Sequence, residues 1–241
     1  MRNWTTPSGV ILDLSTLHTK FKIRASMAGT LMTNDRSGKG MGDTAKNYLD
    51  EWIKEQLFER RNSFSSKYTE KGIECEQGSI DLLSDYYGWG MVDKNETNFQ
   101  DDWTTGTPDI VLSASVDDVK SSWSCFTFPL FGNEKVNKDY YWQGQVYMFL
   151  TGKHQFNLHY TLMDAPDYLV EQEARKRANW GEVDMELYDQ VKFEMSYSSL
   201  PASVRIKTFT FERSNEDITM LRQRVMDARA YIDTKLMEVK I

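Results

Sequence analysis

Gly106-Thr107-Pro108-Asp109-Ile110-Val111-Leu112-Ser113-Ala114-Ser115-Val116-Asp117-Asp118-Val119-Lys120 is the stretch on which the fold turns. Ile110-Val111-Leu112 is a short apolar run of strand formers, and Val116 to Lys120 is a second candidate strand beyond a Ser-Ala-Ser link. A hairpin folded near Ala114 sets the start of the first strand beside the end of the second, so Asp109 lies opposite Asp118 to Lys120. Side chains alternate along a strand, which puts Asp118 and Lys120 on one face and, in a suitable register, Asp109 with them.

Two carboxylates and an ammonium thereby converge. Like charges at that range repel, and an acid pair with no cation tends to hold a proton. A divalent metal removes the conflict, and hard oxygen ligands suit Mg²⁺ or Mn²⁺ bound by one or two carboxylates with water and substrate phosphate. Such a site cuts phosphodiesters, with Lys120 orienting the attacking water or offsetting charge on the phosphate. Acid, acid-x-Lys recurs by chance in proteins, so its neighbours decide what it means.

Upstream, Gly72 to Gly88 reads as one helix closed by a C-terminal glycine. Ile73, Glu76, Ile80, Leu83 and Tyr87 step by three and four along one stripe. A carboxylate on that stripe either reaches water at its edge or is a metal ligand aimed at the hairpin, and the second reading is favoured. Downstream, Tyr140 to Leu150 is an apolar, aromatic helix with Gln143 and Tyr147 four apart on one face. Burying Gln143 beside Trp142, Val146 and Phe149 requires a hydrogen-bond partner, which an active-site edge supplies.

The order Glu76, Asp109, Asp118-Val119-Lys120, Gln143-xxx-Tyr147 resembles the PD-(D/E)XK nuclease superfamily, and within it the phage lambda-type exonucleases, or YqaJ-like viral recombinases. Gly72 to Gly88 resembles that family's segment of glycine, central Glu and closing glycine. Gln143-Gly144-Gln145 resembles its paired-glutamine helix, and Phe156 to Tyr160 the strand that follows. Ile23 to Gly29 resembles its Arg-x-Ser segment. The likeness runs from about Arg24 to Tyr160. It departs in having Asp118 where the lambda enzyme has Glu, one residue nearer to Asp109.

The resemblance implies a restriction-endonuclease-like α/β core, a mixed central sheet flanked by helices. It implies Glu76, Asp109, Asp118 and the Val119 carbonyl as metal ligands, Lys120 as the aid to water attack, and Gln143 as the group positioning that water or the scissile end. Arg24, Ser26 and Tyr147 are assigned to the DNA, the first two to a terminal 5′-phosphate. The cofactor implied is Mg²⁺ or Mn²⁺, two ions per site. The activity implied is 5′→3′ digestion of one strand at double-stranded DNA ends, leaving 3′ overhangs for a single-strand annealing protein, by a ring-shaped homotrimer encoded by a phage or prophage and working in the bacterial cytoplasm. Two alternatives stay open: an endonuclease on the same fold, and a silent module that grips DNA ends.

A chain of 241 residues suits one nuclease domain over 1–241 with an adequate core and no linker. Its 40% hydrophobic and 13% aromatic residues exclude a disordered chain. No run approaches 18 apolar residues and Met1 to His18 lacks signal-peptide character, so a soluble intracellular protein is expected, with no membrane partner. Cys75 and Cys125 are too few for a disulfide framework or a four-cysteine cluster, which excludes the iron–sulfur branch of the superfamily. The net charge of −7 opposes a DNA partner, but metal masks catalytic carboxylates and a local basic groove can sit on an acidic protein. Candidates for that groove are Lys54, Arg60, Arg61, Lys67 and Lys71, then Arg222, Arg224 and Arg229, each read first as a solvated face.

The remainder reads as scaffold. Asp43 to Arg61 is an amphipathic helix, Val204 to Phe211 a strand, and Ser214 starts a closing helix with Ile218, Leu221, Val225, Ile232 and Leu236 inward. Val170 to Asp189 reads as an exposed charged helix. Ser37 to Gly42 lacks Walker spacing and reads as a mobile loop.

Overall fold

In the computed structural model, which describes residues 2–62, 66–132 and 135–240, the chain opens with a small hairpin, β1 (Asn3–Thr5) and β2 (Ile11–Asp13). Then come β3 (Ile23–Arg24), the short α1 (Ala28–Leu31), and three longer helices, α2 (Asp43–Phe58), α3 (Lys67–Glu74) and α4 (Glu76–Tyr87). Four strands follow, β4 (Phe99–Gln100), β5 (Thr104–Gly106), β6 (Ile110–Val111) and β7 (Ser115–Ser121). Helix α5 (Lys138–Thr151) crosses to β8 (Gln155–Thr161), and α6 (Asp167–Arg177), α7 (Met185–Glu194) and α8 (Ala202–Arg205) lead into β9 (Ile206–Glu212) and the closing α9 (Asn215–Glu238).

The expected hairpin forms. β6 and β7 are antiparallel with Ile110 opposite Asp117 and Val111 opposite Val116, and that register carried one step further sets Asp109 against Asp118. β7 then pairs in parallel with β8, which a chain can reach only by a crossover, here α5, and β8 pairs antiparallel with β9. The result is the mixed sheet β6-β7-β8-β9 between helices, a restriction-endonuclease-like core. A second sheet, β3-β5-β4, brings Arg24 alongside Thr105.

Helix α5 lies on one face of the large sheet, close enough that Gly144 meets the Phe156 ring. Buried Val146 and Met148 join the main core beneath α2 and α9, whose Leu221, Val225, Ile232 and Leu236 point inward as the 3.6-residue pattern demands. Helix α4 packs Ile80 and Leu83 against Ile110, Val119 and Ile206 on the other face. On that face Asp117 is fully buried. Its Oδ1 accepts from Asn157 Nδ2 at 2.7 Å and lies 2.9 Å from His159 Nε2, and its Oδ2 accepts from Ser115 Oγ at 2.6 Å. A buried carboxylate persists only when bonded this fully, and these bonds tie β7 to β8.

Several sequence expectations change. The single helix from Gly72 to Gly88 is two, because the chain turns at Cys75 (φ −90°, ψ 0°). The long stripe therefore breaks: Ile80 and Leu83 are buried, whereas Ile73 is 66% and Tyr87 42% exposed. Gly88, with φ +69°, does close α4, a conformation that favours glycine. Val170 to Asp189 is not one exposed helix but parts of α6 and α7, which fold against each other over Val170, Ala174, Val191 and Met195. The last strand begins at Ile206 because Ala202–Arg205 is still helical. At Ser37, a turn forms on Asp35, whose Oδ1 accepts from the Ser37 N–H and Oγ.

Candidate active site

Asp109 immediately precedes β6, where the hairpin register aims its carboxylate across β7, and its Oδ2 accepts the Val119 N–H at 2.7 Å. Asp118, with its side chain 2% exposed, points to the α5 side; its Oδ1 accepts from Gln143 Nε2 at 3.2 Å. Its Oδ2 faces Lys120 Nζ at 2.5 Å yet is a buried oxygen without a properly formed hydrogen bond among the described residues. Lys120 and Asp118 thus share a face as alternation requires, and the Tyr140 ring lies 5.3 Å from the ammonium.

Gln143 finds the partner its burial demands. Its amide donates both to Asp118 and to the Tyr147 hydroxyl (2.9 Å), and that hydroxyl donates to the Thr107 carbonyl at 3.1 Å. Tyr147 is 5% exposed with its hydroxyl fully engaged, so the assignment of Tyr147 to DNA contact gives way to a structural one: it props Gln143 against the hairpin.

A cleft of about 600 Å³ is bordered by Ser26, Glu76, Asp109, Val119, Lys120 and Gln143, with Asp118 beneath. Seven of the residues singled out in sequence therefore meet in one place. Glu76, the first residue of α4, enters it at the helix start, where its Oε2 accepts from Lys94 Nζ at 2.7 Å. Arg24 stands apart. It opens onto a neighbouring depression of about 330 Å³ with Lys22, Tyr48, Trp52 and Arg61, so Arg24 and Ser26 serve different cavities.

Tyr140 borders the cleft and Lys94 reaches it through Glu76; neither is singled out by the sequence. Lys94 sits in a loop without periodicity, where no local pattern could single it out; Tyr140 was read only as the start of a helix. Conversely, part of the basic groove is scaffold. Lys71 is fully buried, donating to the Ser122 and Trp123 carbonyls at 3.1 and 3.0 Å, and burial pushes its pKa down. Arg229 donates to the carbonyls of Phe21 and Asp102, and Lys67 pairs with Glu173.

The electrostatics of the site favour a cation. Burial, and then the charge on Asp118, push the Asp109 carboxyl up to about 8, against the pull of Lys120 and the Val119 N–H. For Lys120, burial opposes the charge, but Asp118 and Asp109 outweigh it and hold the ammonium well above the ordinary lysine range. It stays protonated, a charge donor rather than a base. No three His, Cys, Asp or Glu side chains converge on one point among the described residues. Two acids and a backbone carbonyl nonetheless match a hard divalent cation that keeps waters and takes up substrate oxygens. Asp118 Oδ2, which has only the Lys120 ammonium as partner among the described residues, and the proton-holding Asp109 are the groups such a cation would engage.

A pH prediction follows. Because the folded pKa of Asp109 is raised above its unfolded value, the stability it contributes is fully present below about pH 4 and is lost as pH rises through about 8. Mg²⁺ replaces that proton, so the gain in Tm on adding Mg²⁺ is expected to grow from pH 6 to pH 8. Melting curves with and without the ion at both pH values check it. A gain independent of pH, or one equally pH-dependent in Asp109→Asn, refutes it.

No protein-family model matches the chain, and no curated protein sequence does. Solved structures do. A phage-related exonuclease from Haemophilus somnus 129PT superposes with a TM-score of 0.78 at 27% identity, over 95% of this chain and 100% of its own. The alkaline exonuclease LHK-Exo from Laribacter hongkongensis gives 0.63 at 14% identity over 92% and 93%, and its complex with dAMP gives 0.63 at 15% over 93% and 92%. These matches support the resemblance read from the sequence: with Asp109, Asp118, Lys120 and Gln143 gathered on this core, the chain is similar to the phage lambda-type exonucleases of the PD-(D/E)XK superfamily, the YqaJ-like viral recombinases.

Proposed function

We propose that this chain, as a single domain over 1–241, is a Mg²⁺-dependent exodeoxyribonuclease that also accepts Mn²⁺ and digests one strand of linear duplex DNA 5′→3′, leaving a 3′ overhang. The observation that carries it is the meeting of Asp109, Asp118, Lys120 and Gln143 in one cleft beside Glu76. The relatives above, themselves exonucleases, support end-dependent cutting. The same reading includes a ring-shaped homotrimer, a single-strand annealing protein that takes the overhang, and action in the cytoplasm of a bacterium carrying the phage or prophage. Among the described residues no helix is long and apolar enough to cross a membrane.

Asp109, Asp118 and the Val119 carbonyl hold the cation, which when bound acidifies water and draws charge from the phosphate. Lys120, whose ammonium is favoured by Asp118 and Asp109, donates to a phosphate oxygen or fixes the attacking water as negative charge builds. Gln143, braced by Tyr147, keeps Asp118 aimed. Ser26 borders the same cleft and offers a hydroxyl to the end of the strand. Arg24 holds a terminal 5′-phosphate only if the strand end extends into the adjoining depression.

That separation favours, as a second reading, an endonuclease with no terminal-phosphate pocket. One assay separates them: a linear duplex with one 5′-phosphorylated and one 5′-hydroxyl end, beside a closed circle, with Mg²⁺ or EDTA. Metal-dependent loss of the phosphorylated strand with the circle intact is expected. Nicking of the circle assigns an endonuclease, and absence of cutting leaves a DNA-binding module.

A further inference from the structure

Glu76 and Lys94 form a pair that the proposed reaction does not use. Their 2.7 Å contact joins a carboxylate 19% exposed to an ammonium 44% exposed, at the rim of the cleft. Lys94 is brought there by its neighbour: Asn95 donates its N–H to the Asp109 carbonyl at 2.7 Å and its side-chain amide to the Pro108 carbonyl at 2.9 Å. The segment carrying Lys94 is thereby stitched to the segment carrying Asp109. Asp118 is answered in the same manner by Lys120.

The charge balance of the cleft then limits what else it can hold. Three carboxyl groups, Glu76, Asp109 and Asp118, face two ammonium groups, Lys94 and Lys120, so once a bound cation has displaced the Asp109 proton the formal balance of the cleft is one net negative charge before the cation itself is counted. One divalent ion reverses that balance by a single charge; a second leaves three positive charges in a partly desolvated cleft before any phosphate enters. Glu76 Oε2 is moreover already occupied by an ammonium, and no trio of acidic or imidazole ligands converges among the described residues.

We propose that Lys94 is a built-in counter-charge for Glu76, so that the free protein takes one divalent cation, on Asp109, Asp118 and the Val119 carbonyl, rather than two. This rests on the metal-nuclease reading above. Lys94 is a positioning residue: its ammonium stands where a second ion would otherwise neutralise Glu76, and it sets the metal stoichiometry of the site before DNA arrives.

The test is Mn²⁺ titration of the full, DNA-free chain by calorimetry, with free Mn²⁺ followed by electron paramagnetic resonance. Wild type is expected to bind one Mn²⁺ per chain, Lys94→Met two, Lys94→Arg one again, and Glu76→Gln one. Circular dichroism confirms that each variant is folded. Two ions on wild type, one ion on Lys94→Met, or loss of the ion in Glu76→Gln overturns the proposal while leaving a metal nuclease. Absence of Mn²⁺ uptake by wild type, with Asp109→Asn no different, overturns both, and so separates failure of the site from failure of the counter-charge.

Discussion

Lys120→Ala is expected to lower kcat on linear duplex DNA about 10²- to 10³-fold, the usual cost of removing one preorganised donor to a developing negative charge, with KM little changed. Its ammonium is held by Asp118 at 2.5 Å and flanked by the Tyr140 ring, so it is already placed before substrate binds. The acids Asp118 and Asp109 hold its pKa well above the ordinary lysine range, which favours electrostatic work over proton acceptance. Cation affinity should move the other way. Removing an ammonium that competes for Asp118 Oδ2 makes that oxygen more available, so the variant should bind Mn²⁺ at least as tightly as wild type. Single-turnover rates at saturating Mg²⁺, with Mn²⁺ titration of the same sample, provide the check. A variant within tenfold of wild-type kcat, or one that loses the ion and the rate together, removes Lys120 from the role given to it.

Gly144→Ala should be a strongly damaging one-carbon change to the scaffold of the site. A Cβ at Gly144 would lie 2.1 Å from Phe156 Cδ1 and 2.5 Å from Cε1. That ring is fully buried and stacked on Phe211, with Tyr147 edge-on to it, so it has no open side to turn into. Alanine raises helix propensity over glycine by about 1 kcal/mol, which favours the variant. Overpacking of a closed core costs about 1–3 kcal/mol and occasionally more, and a contact this short belongs at the upper end. The net expectation is destabilisation of about 2 kcal/mol, a fall in Tm of roughly 4–8 °C for a chain of this size. Helix α5 must also back away from β8, carrying Gln143 from Asp118, a bond already 3.2 Å long, so activity should fall more than stability alone explains. An unchanged or raised Tm would show that the helix and sheet are not as tightly opposed as the geometry requires.

Much of the site is legible in the chain because its central part is local. Asp109, Asp118 and Lys120 lie on one hairpin, and strand alternation plus a single turn suffices to bring them together. Gln143 is readable because a buried amide must find a partner. Legibility ends where the contacts are long-range. The break at Cys75 left Ile73 exposed despite its place on an unbroken apolar stripe, since periodicity carries no information about where a helix is interrupted. Lys71 reads from the sequence first as a solvated cation and is instead buried on the Ser122 and Trp123 carbonyls, 51 and 52 residues away. Asp117, next to Asp118 in the chain, belongs to the opposite face, and only the pairing of β7 with β8 supplies its Asn157 and His159 partners.

The sequence by itself determined the hairpin and the identity of the acid–acid–lysine group, because side-chain alternation and turn chemistry act over a dozen residues and leave few alternatives; the register that sets Asp109 against Asp118 is seen in the pairing of β6 with β7. Only the tertiary structure decided that Glu76 answers Lys94, that Tyr147 supports Gln143 rather than meeting DNA, and that Arg24 and Ser26 open onto separate cavities. Each of those outcomes depends on how separate segments pack in space. The free energy that settles them comes from burial and charge pairing across those contacts, which no local pattern in the chain records.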